Sequence, residues 1–190
     1  MVPTSAPIVC YVVDPRASQF SVQAFASGLA AAIAHSPKIA IRDWSGEVNF
    51  NPGTLGDVSI RVRLKTASLE VLDELNDRDR RELHRVMREE VLESARFPEV
   101  VFESSEVQAV RQKDDLYRLT VRGRLSLHGM ENDHSFAAQV ALGVDSARAY
   151  GEFSVLQTDY QIRIASVAGG TLRLQDELKL SFYIVARRQT

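Results

Sequence analysis

The sequence predicts an all-β protein interrupted by one α-helix, and three observations carry that reading. Apolar and polar residues alternate with period two in segment after segment. Short turn signals separate those segments. One stretch alone changes period and becomes densely charged. Strands joined by short turns form an antiparallel sheet, which must curl or pair with a second sheet to hide its apolar face.

The clearest strand is Val58 to Lys65, where Val58, Ile60, Val62 and Leu64 share one face and Ser59, Arg61, Arg63 and Lys65 the other. Leu116 to Leu127 repeats the pattern, with Tyr117, Leu119, Val121, Leu125 and Leu127 on one face beside Gly123. Ser135 to Val144 places Phe136, Ala138, Val140, Leu142 and Val144 together, and Leu178, Leu180, Phe182 and Ile184 alternate near the C-terminus. Weaker strands are expected at Val9–Val13, Ser18–Phe25, Ile39–Phe50, Val100–Val110, Tyr150–Leu156 and Ile162–Val167. The turns are Asp14-Pro15, Asn51-Pro52-Gly53, Lys113-Asp114-Asp115, His128-Gly129 and Gly169-Gly170.

Between Glu70 and Ala95, fourteen of 26 residues are charged, and Leu83, Val86, Met87 and Val91 recur at helical spacing. Asn76 or Asp77 can cap the start. Asp77–Arg81, Arg78–Glu82 and Arg85–Glu89 are i,i+4 pairs of opposite sign, and Pro98 stops the helix near Arg96 or Phe97. A helix of roughly five turns is expected from that cap to that stop, within a helical insertion at about residues 70–96, with its apolar stripe over one end of the sheet and its charges in water. Without an internal repeat, linker or low-complexity tract, residues 1–190 read as one domain.

Composition narrows the function. The formal charge of −2 and sequence pI of about 6.1 call for no nucleic acid or anionic membrane. Arginine outnumbers lysine 19 to 4, but the arginines are spread along the chain. The face bearing Arg118, Arg122 and Arg124 lacks the interleaved aromatics that single-strand binders use for stacking. Cys10 is the single cysteine, which excludes an intramolecular disulfide, and it is expected as a small buried hydrophobe. No basic residue precedes Arg16, so the start is unlike an export signal and a cytoplasmic location is expected. The longest uncharged run, Ala17 to Pro37, contains Ser, Gln, Gly and His and is a poor membrane span, so no stable membrane insertion is expected.

No catalytic centre is legible. The chain has no G-x-S-x-G elbow and no glycine-rich phosphate loop after a strand. His128, Glu131 and His134 flank a short acidic turn and could offer a divalent ion two imidazoles and a carboxylate. Their spacing matches no zinc pattern, and a polar hairpin is the simpler reading. His35, before Ser36-Pro37, reads as a turn residue. No enzyme, cofactor or metal site is expected.

Several segments resemble the YceI-like family, in order and over nearly the whole chain. Tyr11-Val-Val-Asp14-Pro15-Arg-Ala-Ser18-Gln-Phe20 is similar to the family's opening Y-x-h-D-P-x-H-S. Trp44-Ser-Gly46-Glu-Val-Asn-Phe50-Asn51-Pro52 fits its G-x-I-x-F-D-P. Phe97-Pro98-Glu-Val-Val-Phe102-Glu-Ser104 is similar to Y-P-x-I-x-F-x-S, and Leu125-Ser-Leu127-His128-Gly129-Met130 to L-T-I-x-G-V. Gly151-Glu-Phe153, then Thr158-Asp159-Tyr160 and Ile162, is similar to G-x-F…R-S-D-F-G-I, although Gln157 and Gln161 stand where the family has Arg and Gly.

The resemblance implies a lipocalin-like, extended antiparallel barrel of about eight strands with a helical insertion. It also implies a long apolar tunnel for an isoprenoid, a quinone or an acyl lipid. Alternation nominates Val58, Ile60, Val62, Leu64, Tyr117, Leu119, Val121, Phe136, Phe153, Leu180 and Phe182 as the lining, with Trp44 or His35 near an opening. The other reading is a packed barrel without ligand that binds a protein, in a stress-related role. Edge strands and the helix offer surfaces for a homodimer.

Overall fold

The computed structural model describes residues 8–27, 36–51, 57–164, 166–167 and 172–189. Eight antiparallel strands close a barrel. In spatial order they are β1 (Val9–Val13), β4 (Trp44–Phe50), β5 (Ser59–Lys65), β7 (Glu99–Lys113), β8 (Leu116–Leu127), β9 (Met130–Leu142), β10 (Ser146–Leu156) and β12 (Leu172–Arg188). Pairing of Tyr11 with Arg188 and of Val13 with Ala186 joins the last strand to the first. The remaining strands are β2 (Gln19–Ser27), β3 (Lys38–Ile41), β6 (Leu69–Val71) and β11 (Ser166–Val167). No helix among the described residues is long and apolar enough to cross a membrane.

β2, β3 and β6 continue barrel strands past a break. β12 pairs with β2 from Arg173 to Tyr183 and with β1 from Ala186 to Arg188, so β1 and β2 are two halves of one strand along the same edge. Residues Asp14 to Ser18 make the break. The Asp14 N–H donates to the Val185 carbonyl at 2.8 Å. Ser18 Oγ accepts from the Val185 N–H at 2.9 Å. The Ser18 hydroxyl thus stands in for a strand carbonyl as the acceptor for the Val185 N–H across the break. β3 and β4 break in the same way at Arg42-Asp43, where the sequence reading expected one strand from Ile39 to Phe50. The Asp43 carbonyl accepts from the Lys65 N–H, and the Ser68 carbonyl accepts from the Arg42 N–H. The third break separates β5 from β6. Buried Thr66 anchors it, donating from Oγ1 to the Phe97 carbonyl at 2.9 Å.

The β2–β3–β6 half therefore ends at β6, while β7 pairs with β5. Helix α1 (Asp77–Val86), continued by a π turn over Met87–Val91, lies against β6. The helix starts at the expected cap but stops at Val91, short of the expected end near Arg96 or Phe97. Where the expected insertion begins, Leu69–Val71 is strand, paired to Ile39–Ile41. Asn76 is the cap, its side chain accepting from the Asp79 N–H at 2.9 Å. Arg85–Glu89 forms as expected at 3.3 Å, and Arg85 also gathers Glu82 and Glu90. Among the described residues, Asp77–Arg81 and Arg78–Glu82 are not ion pairs. In place of a strand, α1 gives β6 a side-chain partner: His84 Nε2 accepts from the Val71 N–H at 3.2 Å. Leu83, Met87, Val91 and Leu92 pack onto the core.

Three smaller expectations are also corrected. Val144 lies past the end of β9 and is exposed, in the turn to β10. Ile162 precedes the short β11 and is buried outside any strand. Cys10 is half-buried, on the face of β1 opposite Tyr11, because Tyr11 takes the inward position. His35, Pro52-Gly53 and Gly169-Gly170 lie outside the described residues.

Candidate ligand-binding cavity

Alternation on the barrel strands sends one side chain in two to the interior. Phenylalanines from five strands meet there. Phe136 stacks on Phe153 with ring centroids 5.1 Å apart and lies 5.3 Å from Phe102 and 5.8 Å from Phe182. Phe20 stacks on Phe182 at 6.2 Å. Two glycines make room for these rings. A Cβ on Gly123 would come within 2.6 Å of Phe102 Cζ, and the β7 ladder shifts register between Ser104 and Glu106 beside it. Rings lying across bare glycines in this way pack a sheet face that would otherwise be open.

The phenylalanine belt does not fill the barrel. A cavity of about 320 Å³ runs through the interior, a size within the range of small-molecule sites. On β8 its wall extends from Tyr117 to Leu127. At about 3.4 Å per residue that is about 34 Å of strand, or about 26 Å along the axis at the usual tilt. Leu127, Leu92 and Ile162 line one end, and Leu142, Ala147 and Ala186 the other. Leu83, Val86, Met87, Val91 and Leu92 bring the helical segment into the wall, so α1 closes the cavity where β6 and β7 part.

The structure brings together Val58, Ile60, Val62, Leu64, Tyr117, Leu119, Val121, Phe136, Phe153, Leu180 and Phe182, all on the cavity wall. Trp44 is not among the lining residues. It is buried, edge-on to Phe20 at 6.1 Å, and so does not stand at an opening. Sequence reasoning missed Ala109, Ala147, Ala149 and Ala186, which together with Ala138 leave the bore wide. Ser146 to Phe153 does alternate, but with residues too small to register as an apolar face.

The wall is nearly free of charge. Among the lining residues only Glu47 is ionisable as an acid, it is an exposed residue, and no lysine or arginine is present. The polar side chains are mostly partnered: Tyr11 donates to the Val144 carbonyl at 3.2 Å and Gln157 Nε2 to the Gln175 carbonyl at 2.9 Å. Among the described residues the Tyr117 side chain makes no hydrogen bond within the chain, and neither does that of His134, at the level of Gly123 and Phe153. Its Nε2 is buried without a hydrogen bond, and burial pushes the imidazole pKa down.

His128, Glu131 and His134 do not converge. His128 Nδ1 donates to the Tyr160 carbonyl at 3.1 Å, and its Nε2 faces Glu93 at 3.4 Å. Glu131 pairs with Arg124 on the outside. Met130 is already strand, so residues 130–134 alternate in and out and cannot share one centre. Among the described residues, no group of His, Cys, Asp or Glu is placed to hold a metal ion.

Two of the outer arginines are paired across the ladder. Arg61 pairs with Glu103 at 2.8 Å and Arg122 with Glu106 at 3.1 Å, each directly opposite its partner.

The fold has clear relatives among solved structures. Burkholderia cenocepacia BcnA superposes with a TM-score of 0.67 at 18% identity, over 91% of this chain and 98% of that one. A polyisoprenoid binding domain from Saccharophagus degradans, implicated in plant cell wall breakdown, gives 0.68 at 13% identity, over 94% and 98%. A YceI protein of Campylobacter jejuni gives 0.63 at 15%, over 83% and 88%. At such identities the likeness speaks for the fold. No protein of curated function matches the chain in sequence. The sequence profile of the YceI-like domain matches residues 11–186, from the Tyr11 strand to the Ala186 pairing that closes the barrel, and the chain therefore belongs to the YceI-like domain family.

Proposed function

We propose that the protein binds or transports a long-chain apolar molecule, an isoprenoid, a quinone or an acyl lipid, inside the barrel. The observation that carries this reading is the cavity: long, enclosed by apolar side chains, and closed on one side by a helix. Family membership supports it, as does the fold shared with a domain named for polyisoprenoid binding. Each methylene moved from water into such a cavity contributes about 0.8 kcal/mol. A chain of many methylenes thus gains affinity along its whole length, and the wall needs few polar groups.

In this reading Ile60, Val62, Leu119, Phe136, Phe153 and Leu180 contact the chain, and the helical segment is the movable part of the wall. β6 and α1 meet through few side chains, whereas β7 and β8 share a long ladder. Local opening favours the weaker contact.

Organic extraction of freshly purified protein, followed by mass spectrometry of the extract, tests the proposal. Near-stoichiometric recovery of one isoprenoid or acyl lipid is expected. Recovery of none, with no uptake of added ubiquinone or fatty acid, would contradict it and favour a ligand-free interaction module.

A further inference from the structure

His134 stands on the cavity wall with hydrogen-bonding capacity unspent. It follows Asn132 on the inward face of β9, and every later inward residue of that strand is apolar: Phe136, Ala138, Val140 and Leu142. It is directly opposite Gly123 on β8, and its ring meets Phe153 edge-on, with centroids 5.1 Å apart. Nε2 is shut off from water and has no hydrogen-bond partner. Folded proteins rarely leave a buried polar atom unpaired, because the lost hydration is not recovered. A valine here would pack on Phe153 without that cost, so packing does not explain the imidazole.

The rest of the wall defines what can meet it. Tyr11, Thr66 and Gln157 already donate to backbone carbonyls. Tyr117 sits far along the bore, opposite Val140. Among the described residues no lysine or arginine side chain lines the cavity. An anionic head drawn inside would find no counter-charge, and burying it unpaired is costly.

We infer that the occupant is an apolar chain bearing an uncharged hydrogen-bonding group, a hydroxyl or a carbonyl, and that His134 is the residue that selects it. This rests on the apolar-cargo reading above and adds its polar contact. Nε2 reaches the group when the ring swings off the Phe153 edge into the bore. The contact is made inside the barrel, at the phenylalanine belt. A neutral imidazole can donate or accept, so it serves a hydroxyl and a carbonyl alike.

Displacement of N-phenylnaphthylamine from the barrel tests the inference. The competitors are geranylgeraniol, geranylgeranyl phosphate and the terpene hydrocarbon of the same skeleton. The readout is the ratio of alcohol to hydrocarbon affinity, which cancels the chain's own contribution. In His134→Val that ratio is expected to fall about fivefold to tenfold, the worth of one hydrogen bond, with hydrocarbon affinity little changed. His134→Gln, which keeps a donor and an acceptor, should hold the ratio within about twofold of the natural protein. The phosphate should bind more weakly than the alcohol. An unchanged ratio in a folded His134→Val variant, or phosphate binding as tight as alcohol, overturns the inference while leaving the apolar-cargo reading standing. Failure of all three competitors to displace the probe from the natural protein overturns both.

Discussion

Gly151 on β10 lies opposite Phe182 on β12, and the Phe182 ring occupies the space that a side chain at position 151 would need. A Cβ there would come within 2.6 Å of Phe182 Cζ and 2.7 Å of the Ala137 carbonyl oxygen. Phe182 in turn touches Phe20, Phe136 and Phe153, so this one glycine seats the centre of the aromatic belt. Gly151→Ala is expected to destabilise the protein by about 1–3 kcal/mol through overpacking, measured by urea unfolding. Unchanged stability would show that the belt shifts freely.

His84 holds the helical segment to β6 by accepting from the Val71 N–H, and Val71 is 1% exposed. His84→Ala leaves that buried donor unpaired, at a cost of about 1–3 kcal/mol. His84→Gln, with an acceptor of its own, should recover part of the loss. Amide exchange at Val71 is the direct readout: fast in the alanine variant, slow in the natural protein.

Acid should weaken the fold through His134. Burial holds its imidazole pKa below the ordinary value of 6.5, whereas the unfolded chain has no such burial. As pH falls through the ordinary imidazole range, the unfolded state takes up the proton first, and stability drops. Above that range the contribution disappears. The unfolding temperature should therefore fall on going from about pH 7.5 to about pH 5.5, and His134→Val should show a shallower fall. Parallel curves for the two proteins would contradict the buried, neutral imidazole.

The surface ion pairs should matter little. Arg122 and Glu106 are 62% and 46% exposed, and their contact is open to water and salt. Arg122→Gln is expected to change stability by less than about 1 kcal/mol in urea unfolding. A larger loss would mean that the outer ladder of charges is a structural element.

The inward faces were legible because each barrel strand has one apolar side. Val58 to Leu64 and Tyr117 to Val121 alternate so regularly that their wall positions follow from period alone. The breaks were not legible, because they depend on distant partners. Ser18 finds its role only against Val185, and Arg42 and Asp43 only against Ser68 and Lys65. Leu69–Val71 was not legible as a strand because three residues carry no usable period, and its partner strand lies about thirty residues earlier. Trp44 alternates inward like its neighbours, yet it is packed against Phe20 and kept off the cavity wall. Alternation also reads a filled core and a hollow one alike. The bore depends on how side-chain volumes sum across the barrel, where Ala109, Ala147, Ala149 and Ala186 leave the space that phenylalanines elsewhere take up.

That space allows the most direct test. Ala149→Phe places a ring on the cavity wall without altering the outer surface. Native mass spectrometry of the freshly purified natural protein should show a discrete added mass that organic extraction releases as an apolar lipid. The Ala149→Phe variant, folded and purified alongside, should show the bare chain. A bare mass for the natural protein, or an adduct retained undiminished by the variant, would contradict the claim that the barrel interior holds the ligand.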